Sequence, residues 1–77
     1  MSEPADATRS LLLRGDHITL AQAVKAAGLA GTGGQAKMLV REGIFRVNGE
    51  PVTQPGRKLH AGDRFGREGD EEWTITA

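Results

Sequence analysis

No cysteine occurs in this chain of 77 residues, which excludes a disulfide framework and a thiolate metal site and leaves stability to one apolar core. A long hydrophobic run is missing as well. Residues 1–8 carry Glu3 and Asp6 and no apolar stretch, the opposite of a basic segment followed by a hydrophobic one. Neither a signal peptide nor a membrane span is therefore readable, and the cytoplasm is the expected compartment. A chain this short buries only about 60% of the surface its unfolded form exposes, which leaves room for one domain. Residues 1–9 read as a disordered leader and residues 10–77 as that domain.

The formal net charge is zero, which taken alone argues against a nucleic-acid partner. The charges are segregated, however. Lys37, Arg41, Arg46, Arg57, Lys58, Arg64 and Arg67 face only Glu42, Glu50 and Asp63 within residues 37–67, a local excess of four cations. The balancing acids lie in the leader and in a late loop with Glu68, Asp70, Glu71 and Glu72. Such a distribution predicts one basic face on a neutral molecule.

Local signals predict the elements. Thr19-Leu20-Ala21-Gln22 forms a capping box, Leu20, Ala23, Val24 and Ala27 repeat at helical spacing, and Gly28 stands where a left-handed terminator belongs. That gives a first helix over 20–27. Thr32-Gly33-Gly34-Gln35 is a second capping box, opening a helix that runs to Glu42 and stops at Gly43. Its Ala36, Leu39 and Val40 share one side, whereas Gly34, Lys37 and Arg41 cluster away from it. From Ile44 the period becomes two, with Phe45 and Val47 on one face, Ile44 and Arg46 on the other, and Asn48-Gly49 as a tight turn. Pro51 predicts that the return strand is a sheet edge. Two last strands near 64–67 and 72–76 place Phe65, Trp73 and Ile75 in the core, and 10–18 offers a further short strand. The class is α+β: two helices against a small, mainly antiparallel β-sheet.

Candidate chemistry is sparse. Gly31-Thr32-Gly33-Gly34-Gln35-Ala36 matches a dinucleotide fingerprint in letters only, since that motif needs a preceding strand and a βαβ unit. No Gly-Lys-Ser/Thr follows any of these glycines, which excludes a Walker-type loop. His17 and His60 lack metal-ligand spacing, and no nucleophile–base set is present, so neither a metal, a cofactor nor a catalytic role is expected. Two readings compete for Gly33 and Gly34: close approach of the two helices, or access of a ligand to the helix backbone. Glycine costs about 1 kcal/mol relative to alanine inside a helix, and first-turn amides with Lys37 one turn on suit a phosphate. Arg46 is expected to extend Lys37 and Arg41 into one cationic ridge, flanked by Arg57 and Lys58.

The run from Gly33-Gly34-Gln35-Ala36-Lys37 through Arg41-Glu42-Gly43, Val47-Asn48-Gly49 and Arg57-Lys58-Leu59 to Gly62-Asp63 resembles an S4 RNA-binding domain. It is most similar to the small stand-alone bacterial proteins of that family, over roughly residues 18–65. The resemblance implies an αL motif, two helices followed by strands, that binds structured RNA such as ribosomal or transfer RNA. It assigns contact to Gly34, Gln35, Lys37, Arg41, Arg46 and Asn48, with Gly33 beside them and Arg57 and Lys58 flanking. Many S4 domains have Ser-Arg where this chain has Gly33-Gly34, and Asn48-Gly49 is also simply a favoured type I′ turn. The expectation is a non-catalytic, monomeric RNA binder with no small-molecule substrate. The rival is a protein-interaction module docking on the strand edge near Pro51 or on Ile44.

Overall fold

The computed structural model describes residues 9–70 and 72–77. Nine elements follow in order: β1 (Arg9–Leu12), β2 (Ile18–Thr19), α1 (Leu20–Ala26), α2 (Gly33–Arg41), β3 (Phe45–Val47), β4 (Glu50–Pro51), β5 (Lys58–Leu59), β6 (Arg64–Arg67) and β7 (Trp73–Thr76). The leader expected over 1–9 lies outside the described residues except for Arg9, which opens β1. Glu71 of the acidic loop lies outside them too.

Both helices begin and end where local chemistry dictates. The Thr19 hydroxyl accepts from the Gln22 amide at 3.2 Å and the Gln22 side-chain oxygen accepts from the Thr19 amide at 3.0 Å, a complete capping box. At the other end of α1, Gly28 has φ +78°, and the Gly28 and Leu29 amides donate to the carbonyls of Lys25 and Val24, the paired bonds of a Schellman terminus. The second box differs from expectation. Thr32 does accept from the Gln35 amide at 3.0 Å, but the Gln35 side-chain oxygen takes the amide of Gly31, at 2.7 Å, instead of that of Thr32. The side chain reaches one residue further back and braces the interhelical connection.

A five-stranded sheet has the order β1-β7-β6-β3-β4, with β1 parallel to β7 and the other neighbours antiparallel; β2 and β5 make a separate antiparallel pair. Asn48 (φ +52°) and Gly49 (φ +87°) close the β3–β4 hairpin, the two positive dihedrals that a type I′ turn requires. Pro51 falls on the edge strand, where its missing N–H leaves no ladder bond unmade.

One face of the sheet meets the helices. Leu20, Val24, Val40, Phe45, Val47, Leu59, Phe65 and Ile75 are the largest fully buried side chains, with Ala23 and Ala36 between the helices. Trp73 is half-buried, its ring 6.4 Å from that of Phe65 and at 21° to it, with the Arg9 guanidinium 5.8 Å from its centroid. Because strand side chains alternate, burying Phe45 and Val47 turns Arg46 to the opposite face, away from both helices.

Candidate nucleic-acid interface

The second helix presents its cations outward. Ala36 and Val40 are buried, Leu39 is half-buried, and Lys37 and Arg41 are exposed one turn apart on the far side. Among the described residues no carboxylate lies within ion-pair distance of either. The two glycines that open this helix are not packing devices. A Cβ on Gly33 would meet nothing within 4 Å, and one on Gly34 would meet only the Thr32 hydroxyl at 4.0 Å. Close approach of the helices therefore does not explain them. The amides of Gly33 and Gly34 bond to no other group among the described residues, so the first turn offers open N–H groups at the positive end of the helix.

Arg46 departs from the expected ridge. Its guanidinium lies on the outer sheet face, 3.1 Å from the Glu68 carboxylate, and donates to the Gly49 carbonyl at 3.2 Å. Arg67 donates to Asp70 through two nitrogens, at 2.6 and 2.8 Å, and Arg64 stands 3.8 Å from Glu72. The acidic loop thus neutralises the sheet's arginines one by one. Exposed pairs of this kind contribute about 0–1 kcal/mol each, so their main consequence is electrostatic: the basic surface contracts from the sheet to the helices.

Lys58 joins that helical side. Its strand pairs with β2 at the start of α1, and the Arg57 and Pro55 carbonyls accept from the Leu20 and Ala21 amides. Between this turn and α2 runs a groove of about 360 Å³ lined by Thr19, Ala21, Gln22, Lys25, Gly33, Lys37, Pro55 and Gly56. The fold therefore brings Gly33 and Lys37 to one concavity with the turn that leads into Arg57 and Lys58. It adds Lys25, which the charge count did not reach because α1 precedes the basic segment.

Asn48 is occupied internally. Its side-chain oxygen accepts from the Arg64 amide at 3.0 Å, its nitrogen donates to Asp63 at 3.2 Å, and its own amide donates to the Arg64 carbonyl at 2.8 Å. Asp63 also accepts from the His60 amide at 2.7 Å. Asn48-Gly49 and Gly62-Asp63 thus form one clamp, which accounts for their joint presence in the motif. Ile44 packs against the core instead of lying open for a partner; the exposed large apolar side chains are Leu12 and Met38. No group of three or more His, Asp or Glu side chains among the described residues is arranged to hold a metal, and no described helix is long and apolar enough to cross a membrane.

The S4 domain family model matches residues 11–75, nearly the whole described chain, and the two-helix motif on its small sheet agrees with it. The chain belongs to the S4 domain family. A curated relative is the probable ribosome maturation protein RlbA of Bacillus subtilis (strain 168), 44% identical over 48 residues, an overlap covering 62% of this chain and 68% of the relative.

Two predictions follow from the clamp. Asn48→Ala loses both side-chain bonds, each worth about 1 kcal/mol, and forces alanine into a left-handed conformation at a further cost of about 1–2 kcal/mol. Chemical denaturation should show a loss of about 3 kcal/mol, with Asn48→Gly losing less because its backbone is unstrained. An equal loss for both variants would remove the conformational part of this account.

The second concerns acid. The hydrogen bond from the His60 amide, then that from Asn48 and the charges of His60 and Arg57, hold the Asp63 carboxyl below its ordinary value of 3.8, against an opposing effect of partial burial. A depressed folded pKa contributes stability above the unfolded value that is lost as pH falls through the folded one. The stability gap between the parent and Asp63→Asn should hence be full at neutral pH and narrow below about pH 4. A gap constant down to pH 2 would refute the assignment.

Proposed function

We propose that this protein binds structured RNA without performing chemistry on it, through the outward face of α2 and the segment around Arg57 and Lys58. The observation that carries the reading is the exposed pair Lys37 and Arg41, unpaired among the described residues, beside a helix start left bare by Gly33 and Gly34. Phosphates at such a surface meet open amides, a favourable helix dipole and two cations, which provides affinity and register with little base specificity. Gln35, exposed next to the glycines, adds a side-chain amide donor. Arg46 contributes by exchanging the Glu68 carboxylate for a phosphate, and Asn48 contributes by fixing the hairpin. Shape and ribose contacts then select a folded RNA.

The relative named for ribosome maturation supports ribosomal RNA, in an incompletely assembled subunit, as the target. The protein acts there as a cytoplasmic monomer. Docking of a protein partner has less in its favour, because Ile44 is engaged with the core.

Binding to total cellular RNA, followed by fluorescence anisotropy at rising salt, tests the proposal. Contact with about four phosphates gives a log–log salt slope of about −3, and a Lys37→Ala, Arg41→Ala variant should bind more weakly with a slope nearer −1. Parent and variant binding alike, or a parent indifferent to salt, would overturn this surface. The glycines allow a cleaner test, since their replacement does not endanger the fold. A Gly33→Ala, Gly34→Ala variant should be as stable as the parent or up to about 1 kcal/mol more so per site, yet bind RNA less tightly. Unchanged affinity would show that nothing needs the bare backbone.

A further inference from the structure

Lys25 lies in the last turn of α1, outside the surface just proposed. It is exposed, no carboxylate among the described residues lies within ion-pair distance of it, and it lines the groove of about 360 Å³ together with Lys37. The groove has no acidic lining residue. Its other walls are the methyl of Ala21, the ring of Pro55, the glycines Gly33 and Gly56, and Thr19 and Gln22, whose side-chain oxygens are engaged in the capping box. Two lysines therefore flank a mostly apolar concavity, with Lys58 entering at the same end through its pairing with Thr19.

Resting on the RNA-binding reading, we infer that this groove seats the sugar–phosphate backbone of an unpaired RNA strand, a loop or junction segment, with Lys25 and Lys37 gripping its phosphates from opposite sides. Charge complementarity chooses the occupant: an apolar peptide would leave both ammonium groups without partners, whereas a polyanion satisfies them. The groove lies within the size range of small-ligand sites, wide enough for a ribose and its phosphates and too narrow for a duplex to enter. None of its lining residues is aromatic, so no base stacks inside and the backbone alone is gripped.

The test uses the full chain with a twelve-nucleotide uridine oligomer, its adenosine counterpart and a blunt twelve-base-pair RNA duplex. Amide NMR shifts are followed at Ala21, Gly33 and Gly56, and affinity is measured for the parent, Lys25→Gln, Lys25→Arg and Lys37→Gln. The expected result is that both single strands move the groove amides, and that Lys25→Gln weakens binding several-fold while reducing the salt slope by about 0.7. Lys25→Arg should restore both, and Lys25→Gln should melt close to the parent, since only a surface charge near a helix end has changed. If Lys37→Gln weakens binding but Lys25→Gln changes neither affinity nor slope and the groove amides stay fixed, the groove is not the seat and the RNA-binding proposal stands without it. If the duplex moves the groove amides and the single strands do not, the unpaired-strand assignment is wrong. If neither these probes nor total cellular RNA bind, the RNA reading fails and this inference with it.

Discussion

The clamp between Asn48 and Asp63 is the contact on which the arrangement of this small fold turns. It ties the tip of the β3–β4 hairpin to the turn that launches β6, two segments 15 residues apart in sequence. With Val47 opposite Phe65 and Arg46 opposite Gly66, the β3–β6 register puts Phe45, Val47 and Phe65 on the helical side. A slip of one residue would send Arg46 toward the core and Val47 to solvent. In a chain with no cysteine, side-chain bonds that pin register take on part of the task a cross-link performs elsewhere. Asn48 fits this place because it tolerates a positive φ and has both a donor and an acceptor to spend.

Register in turn decides the electrostatics. Since Arg46 faces away from the helices, it meets Glu68, and the neighbouring Arg64 and Arg67 meet Glu72 and Asp70. Neutrality is thus achieved locally, by pairing on the sheet, while Lys25, Lys37, Arg41, Arg57 and Lys58 keep their charge on the helical side. A phosphate approaching from solution meets compensated arginines on one face and uncompensated cations on the other. Formal net charge says nothing about this difference. The acidic loop lowers non-specific attraction to the sheet and so favours docking in one orientation.

What could be read in the sequence was what depends on a few neighbouring residues. Thr19 and Gln22, Gly28, Gly43 and Asn48-Gly49 announce helix ends and a hairpin because the bonds and dihedrals involved close within about five residues. Pro51 announced an edge for the same reason. The Gln35 bond to Gly31, one residue beyond the expected partner, lies below the resolution of such motifs. The parallel pairing of β1 with β7 joins residues more than 60 positions apart, and nothing in Arg9-Ser10-Leu11-Leu12 names its partner strand. The candidate site divides in the same way. The outward positions of Lys37 and Arg41 follow from helical periodicity, whereas the capture of Arg46 by Glu68 and the meeting of Lys25 with Lys37 across a groove are products of tertiary folding.

Gly33 and Gly34 break the one local rule that nothing else in the fold compensates. The other glycines at helix and hairpin ends sit at positive φ, where a side chain would be strained, but these two do not, and a Cβ at either would meet no crowding. They weaken a nine-residue helix that would be stronger with alanine, and core packing receives nothing in exchange. Natural sequences are for the most part consistent from local propensity to tertiary packing, and uncompensated departures concentrate where a surface is used. Here the departure falls at the positive end of a helix, at the mouth of a groove flanked by lysines. A side chain at either position would hold a partner about one methyl group away from the open amides, so the conformational cost of the glycines is explained by what must come close to them.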